Sequence, residues 1–180
     1  MSARRLAVLV AVVLVGTLGV SGSAGSAPPP APPDPTCSPG PADCSAWHTA
    51  QTVTITWALP PPGVVQTNGC TPSEITIDTA GAPVSCTWSN SEGARTTSVN
   101  VRRDATAPAV TASPSRGPDS NGWYNHGLTV AFSGSDGLSG PVACTGGRNY
   151  TGPDSASVTI NGSCSDQAGN SSGASVSFKY

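Results

Sequence analysis

The chain has 180 residues, of which only 10% are charged and 5% aromatic, and it contains 21 glycines and 18 prolines. This turn-rich composition predicts an all-β protein of short strands and argues against a helical bundle. The formal net charge of −2 excludes the basic footprint of a nucleic-acid-binding protein.

Residues 1–27 have the pattern of a secretory signal peptide. Arg4 and Arg5 form a basic start, residues 6–15 form an apolar run, and small residues follow. The apolar run is shorter than the roughly 20 residues that a membrane span needs. We therefore expect cleavage, a secreted or cell-surface protein, and no membrane span in the mature chain.

Residues 28–35, with the sequence PPPAPPDP, are next in the chain. Proline fixes the backbone in an extended conformation, so this segment is predicted to be a semi-rigid linker.

Two related segments, residues 36–104 and 105–180, follow the linker. Trp47 in the first copy aligns with Trp123 in the second, and after each tryptophan come a polar turn with a histidine (His48 or His126) and an alternating run. The alternation has the period of two that half-buried strands show. The residues predicted to face inward are Val53, Ile55, Cys86, Val99 and Val101 in the first copy, and Leu128, Val130, Phe132, Val158, Ile160, Cys164, Val176 and Phe178 in the second.

The stretch DQAGN, residues 166–170, joins the last two predicted strands of the second copy. Gly169 and Asn170 tolerate positive φ, and the Asp166 side chain can accept hydrogen bonds from backbone amides. We therefore interpret the stretch as a hairpin turn and not as a catalytic or metal-binding loop.

The second copy resembles bacterial immunoglobulin-like repeat domains of secreted and surface proteins. The resemblance is carried by DATAP, NGWYNHGLTVAFSGSDGLSG, VACTGG and NYTGPDSASVTINGSCSDQAGN, and it is weaker over the first copy, where ALPPPGVVQTNGC replaces a short loop. It implies two tandem immunoglobulin-like β-sandwiches that act as spacers or adhesive modules, with no catalytic residues to transfer.

Six cysteines in a secreted chain suggest a disulfide framework, and their spacings do not fit a zinc site. In domains similar to the second copy, the pair matching Cys144 and Cys164 is a structural disulfide. If the two copies are equivalent, Cys70 pairs with Cys86, which leaves Cys37 to pair with Cys44.

No enzyme motif is found, so we predict no catalytic residues and no cofactor. A calcium site is an alternative, because Asp119, Asp136 and Asp166 lie in predicted turns. The three are isolated in sequence, so we interpret them as turn residues and predict no metal site.

The aromatic residues leave a second function open. Trp47, Trp123, Tyr124 and Tyr150 are candidates for stacking on sugar rings, as in a carbohydrate-binding module. The preferred interpretation is a non-enzymatic structural or adhesive protein at the cell surface, whose partner is an extracellular protein or a glycan. A more remote alternative is an inhibitor that presents a disulfide-held loop, Cys37 to Cys44.

The signal peptide gives the first testable prediction. We expect exported protein to begin near Gly25 or Pro28, because the small residues Ala24 and Ala27 offer the cleavage sites. N-terminal sequencing of the exported material checks this, and a sequence that still begins at Met1 or Ser2 would contradict it.

Overall fold

The computed structural model describes residues 27–140 and 142–180. Apart from Ala27, the predicted signal peptide lies outside the described residues. Within them the protein is all-β: there are thirteen strands and no helix. Over the same ranges, accordingly, no helix is long and apolar enough to cross a membrane.

The first seven strands form two sheets in the N-terminal half. One sheet has the order β1-β3-β5 and the other the order β2-β7-β6-β4. All neighbours are antiparallel except β2 and β7, which pair in parallel. The strands are β1 (Thr36–Ser38), β2 (Trp47–His48), β3 (Val53–Thr56), β4 (Val65–Asn68), β5 (Ser73–Ile75), β6 (Thr79–Asn90) and β7 (Gly93–Arg103).

The remaining six strands form two antiparallel sheets in the C-terminal half, with the orders β8-β9-β11 and β10-β12-β13. The strands are β8 (Ala109–Pro114), β9 (Leu128–Ser135), β10 (Ala143–Cys144), β11 (Arg148–Tyr150), β12 (Val158–Ser165) and β13 (Ser171–Phe178).

The two halves share one order of pairing along the chain. In each half one strand, β3 or β9, lies between an earlier strand and a later short one, while two longer strands, β6 and β7 or β12 and β13, form a hairpin. The tryptophans also correspond: Trp47 pairs in parallel with Arg102, and Trp123 forms a parallel bridge with Lys179. Each basic side chain lies over the tryptophan ring, at 5.9 Å and 5.7 Å from its centre. Each half thus has the two-sheet layout consistent with a β-sandwich.

The predicted inward faces form the core. Of the thirteen residues, ten are buried, and Val99, Ile160 and Val176 are partly buried against the same clusters. The alternating pattern predicted these positions because successive side chains of a strand point to opposite faces of the sheet, and here only one face is covered. A third cluster contains Trp57, Trp88 and the disulfide between Cys70 and Cys86.

All three predicted disulfides are present. Cys37 is bonded to Cys44, Cys70 to Cys86, and Cys144 to Cys164. The last two bonds join residues that are 16 and 20 positions apart. In the chain-entropy model, closing a loop of this length stabilises the folded state by about 3 kcal/mol. Small sheets with little apolar surface gain most from such cross-links.

The proline-rich segment, residues 28–35, has one buried face. Every third residue, Pro29, Pro32 and Pro35, is buried, and the residues between them are exposed. A polyproline helix has three residues per turn, so one face of the segment is turned toward the protein. Thr97 Oγ1 donates a hydrogen bond to the Pro32 carbonyl, and Asn90 Nδ2 donates one to the Ala27 carbonyl at 2.9 Å. The segment is therefore fixed along the β6–β7 hairpin.

Gly162 lies inside β12, which runs without a break from Val158 to Ser165. A side chain at this position has no room: a Cβ atom would lie 2.6 Å from the Phe132 ring. The ring thus occupies the space above the glycine and packs two sheets closely together.

We expect Gly162→Ala to lower the free energy of unfolding by about 1–3 kcal/mol, because the Phe132 ring must move out of its packed position. Gly146→Ala is the matched control, since a Cβ atom there meets nothing within 4 Å. Urea unfolding of both variants measures the difference. Equal stability of the two variants would show that the ring moves freely.

Candidate functional site

The predicted aromatic platform is divided by the fold. Tyr124 is buried and packs edge-on against Phe178, with 5.3 Å between ring centres. Tyr150 packs edge-on against Phe178 and Tyr180. Tyr124 therefore belongs to the core of the second half, and Tyr150 is partly buried against that core.

The two tryptophans lie nearer the surface. Trp47 is half-buried beneath Arg102, whereas 41% of Trp123 is exposed. Trp123 forms one wall of an open hollow at the end of the second half. The hollow is lined by Trp123, Tyr124, Asn125, Thr151, Asp154 and Tyr180.

The histidines differ from each other. His48 was predicted to lie in a polar turn, but it is fully buried in β2, and within the described part of the chain neither ring nitrogen has a hydrogen-bond partner. His126 is exposed, and its Nδ1 lies 3.5 Å from Asp119. The two histidines therefore differ in environment: His48 lies inside the first half, whereas His126 lies at the surface of the second.

Asp119, one of the three turn aspartates, belongs to a surface ion pair. Arg116 donates a hydrogen bond to its carboxylate, and the Asn125 amide donates another at 2.8 Å. These two bonds, the Arg116 one foremost, lower the pKa of Asp119 from its usual value.

The joint between the halves, residues 102–108, is held by a second ion pair. Arg103, at the end of β7, is buried, and its guanidinium lies 2.5 Å from Asp78 Oδ1. The Asp78 carboxylate also accepts hydrogen bonds from the Thr106 hydroxyl at 2.6 Å and the Ala105 amide at 2.9 Å. The Thr106 bond, followed by the Ala105 bond and the Arg103 charge, lowers the pKa of Asp78.

The strongest candidate site is a group of three carboxylates at the joint. Asp104, Asp136 and Asp166 each offer an oxygen, and these oxygens lie within 4.8 Å of one another. Each aspartate is the first residue after a strand: β7, β9 and β12 end at the preceding positions. Three strand ends therefore meet at one place, although the residues are distant in sequence.

Backbone amides fix the carboxylates. Asp136 Oδ1 accepts hydrogen bonds from the Leu138 and Ser139 amides, both at 2.8 Å. Asp166 Oδ1 accepts hydrogen bonds from the Gly169 and Asn170 amides at 2.8 and 2.9 Å. These aspartates do make the turns that the sequence predicted, but they are not isolated in space.

Asp104 is the innermost member and is fully buried. Its Oδ1 accepts a hydrogen bond from the Thr106 amide and its Oδ2 accepts one from the Ser139 amide, both at 3.1 Å. Its main chain is bonded to both halves: its N–H donates to the His48 carbonyl at 2.9 Å, and its carbonyl accepts from Asn170 Nδ2 at 2.8 Å.

The donor set is made only of oxygen atoms. Carboxylates without histidine or thiolate suit hard cations and not zinc or copper. Sequence reasoning missed Asp104 and Ser139, because Ser139 lies 35 residues from Asp104. The available signal was the position of each aspartate directly after a predicted strand.

Comparison with known proteins returned no matching family model, no matching curated protein and no matching solved structure.

The joint gives a testable prediction at Asp78. We expect Asp78→Asn to lower the free energy of unfolding by about 1–3 kcal/mol near pH 7, because the buried Arg103 loses its charged partner. The folded-state pKa of Asp78 is lowered, so its stabilisation is present above the ordinary value of 3.8 and is lost as the pH falls through the lowered value.

Urea unfolding of wild type and variant near pH 7 and in acid measures this difference. Glu74→Gln is the control, since it removes an exposed carboxylate from β5. A deficit in Asp78→Asn that persists unchanged in strong acid would contradict the electrostatic explanation.

Proposed function

We propose that this protein is a non-enzymatic extracellular spacer or adhesive protein, built of two immunoglobulin-like modules in tandem. The observation that carries the proposal is the hydrogen-bonded joint at Asp104, whose main chain contacts both halves. A spacer needs its modules held in a defined arrangement, and a buried, bonded joint supplies one.

The disulfides support an extracellular setting. Bonds of this kind persist in oxidising compartments, and all six cysteines are used. The proposed secretion follows from the same reasoning and from the predicted signal peptide. The equivalent strand pairing of the two halves favours tandem modules of one fold.

Carbohydrate binding is a second candidate, and the hollow beside Trp123 favours it. An exposed indole ring provides a flat apolar face, and Asn125, Thr151 and Asp154 supply polar groups around it. Trp47 is the weaker candidate, because it is half-buried, whereas 41% of Trp123 is exposed.

The spacer proposal is tested on cells that express the full chain. We expect an antibody against the folded protein to label intact cells, and we expect deletion of the gene to reduce attachment of the cells to a surface. Complementation with a Cys144→Ser/Cys164→Ser variant should restore attachment poorly, because the second module loses its cross-link. Protein confined to the cytoplasm with reduced cysteines would overturn the proposal.

A glycan array separates the two candidates. If the hollow binds a sugar, wild-type protein should bind a defined glycan and Trp123→Ala should lose at least tenfold in affinity, since ring stacking is removed. Trp47→Ala serves as the matched control on the other half. Binding that survives Trp123→Ala would exclude the hollow as the sugar site.

A further inference from the structure

We propose that the three joint aspartates, together with Ser139, bind one calcium ion. The proposal does not rest on the adhesive role, because the residues and the test concern the purified chain alone. It departs from the sequence interpretation, in which these aspartates served turns only.

The three aspartates bring like charges close together. Asp104 is fully buried and 8% of Asp166 is exposed, and their carboxylate oxygens meet Asp136 within 4.8 Å. Carboxylates packed this closely repel one another, and a cation between them would relieve that repulsion. Across residues 27–140 and 142–180, no arginine, lysine or histidine forms an ion pair with any of the three. The nearest arginine in sequence, Arg103, is engaged by Asp78.

Ser139 provides a second, independent observation. This residue is fully buried, and in the described structure its hydroxyl has no hydrogen-bond partner. Its amide N–H donates hydrogen bonds to Asp104 Oδ2 and Asp136 Oδ1, so this buried residue lies beside the carboxylates. A buried hydroxyl without a partner costs free energy, and a cation among the carboxylates would accept its oxygen as a ligand.

The chemistry selects calcium among the hard cations. Calcium accepts six to eight oxygen ligands in flexible geometry, and it takes carboxylates, neutral oxygens and waters together. Magnesium demands a near-ideal octahedron and releases its water reluctantly, which suits a fully buried aspartate poorly.

The three aspartates come from two parts of the chain. Asp104 belongs to the joint after β7, whereas Asp136 and Asp166 belong to the second half. A calcium ion bound to all three would fasten the joint to the C-terminal half.

The test uses purified mature protein in equilibrium dialysis against calcium and in thermal unfolding with calcium or chelator. We expect one ion per chain with a Kd of about 10⁻⁴ to 10⁻³ M, the range of extracellular calcium modules. Saturating calcium should raise Tm by about 5–10 °C over chelator, and magnesium at the same concentration should raise it much less.

Asp136→Asn is the informative variant. The asparagine oxygen can still accept the Leu138 and Ser139 amides, so the turn is retained while one ligand charge is removed. We expect at least about a tenfold loss of calcium affinity and a Tm in chelator no lower than that of wild type, because one of three like charges is gone. Ser139→Ala should also weaken calcium binding.

Asp43→Asn is the matched control. Asp43 Oδ1 accepts the amide two residues later, as Asp136 Oδ1 does, but it lies outside the cluster. This variant should bind calcium as wild type does. Wild-type protein that neither binds calcium nor shifts its Tm would overturn the proposal, and so would full binding by Asp136→Asn. An equal response to magnesium would overturn the assignment to calcium.

Discussion

The structure depends on a carboxylate buried at the point where its two halves meet. Asp104 is fully buried, and its side chain and main chain together bond to β2, to the joint and to two loops of the second half. A buried charge costs free energy unless hydrogen bonds or an opposite charge compensate for its lost hydration. Here the backbone amides of Thr106 and Ser139 donate such hydrogen bonds to the Asp104 carboxylate.

Around this joint, each half closes its own small core. The first half divides its buried residues between an aliphatic cluster and a separate group of two tryptophans around a disulfide, while the second half places aromatic rings edge-on against Phe178. With so little apolar surface in each core, covalent links replace part of the stabilisation that burial provides in larger domains. The sheets are thin, and their packing is close enough that Phe132 occupies the space of a missing side chain at Gly162.

Much of this fold could be predicted from sequence, because alternation and repetition are local signals. The inward face of β12 was predicted from Val158 and Cys164, and the cysteine pairs followed from the alignment of the two copies. The carboxylate cluster could not be predicted in this way, since it depends on which strand ends become neighbours. The burial of Tyr124 could not be predicted for a related reason: a single aromatic residue in a polar turn carries no period that reveals whether it is covered.

The proline-rich segment illustrates a constraint on sequence change. Only one residue in three of this segment is buried, and the carbonyls of Ala27 and Pro32 accept hydrogen bonds from the β6–β7 hairpin. The exposed positions of the segment are therefore free to vary during evolution. Its length is not, because inserting or deleting one residue rotates the three-residue helix by a third of a turn and faces different side chains toward the sheet. Across descendants of this chain, the segment should drift in composition while keeping its residue count.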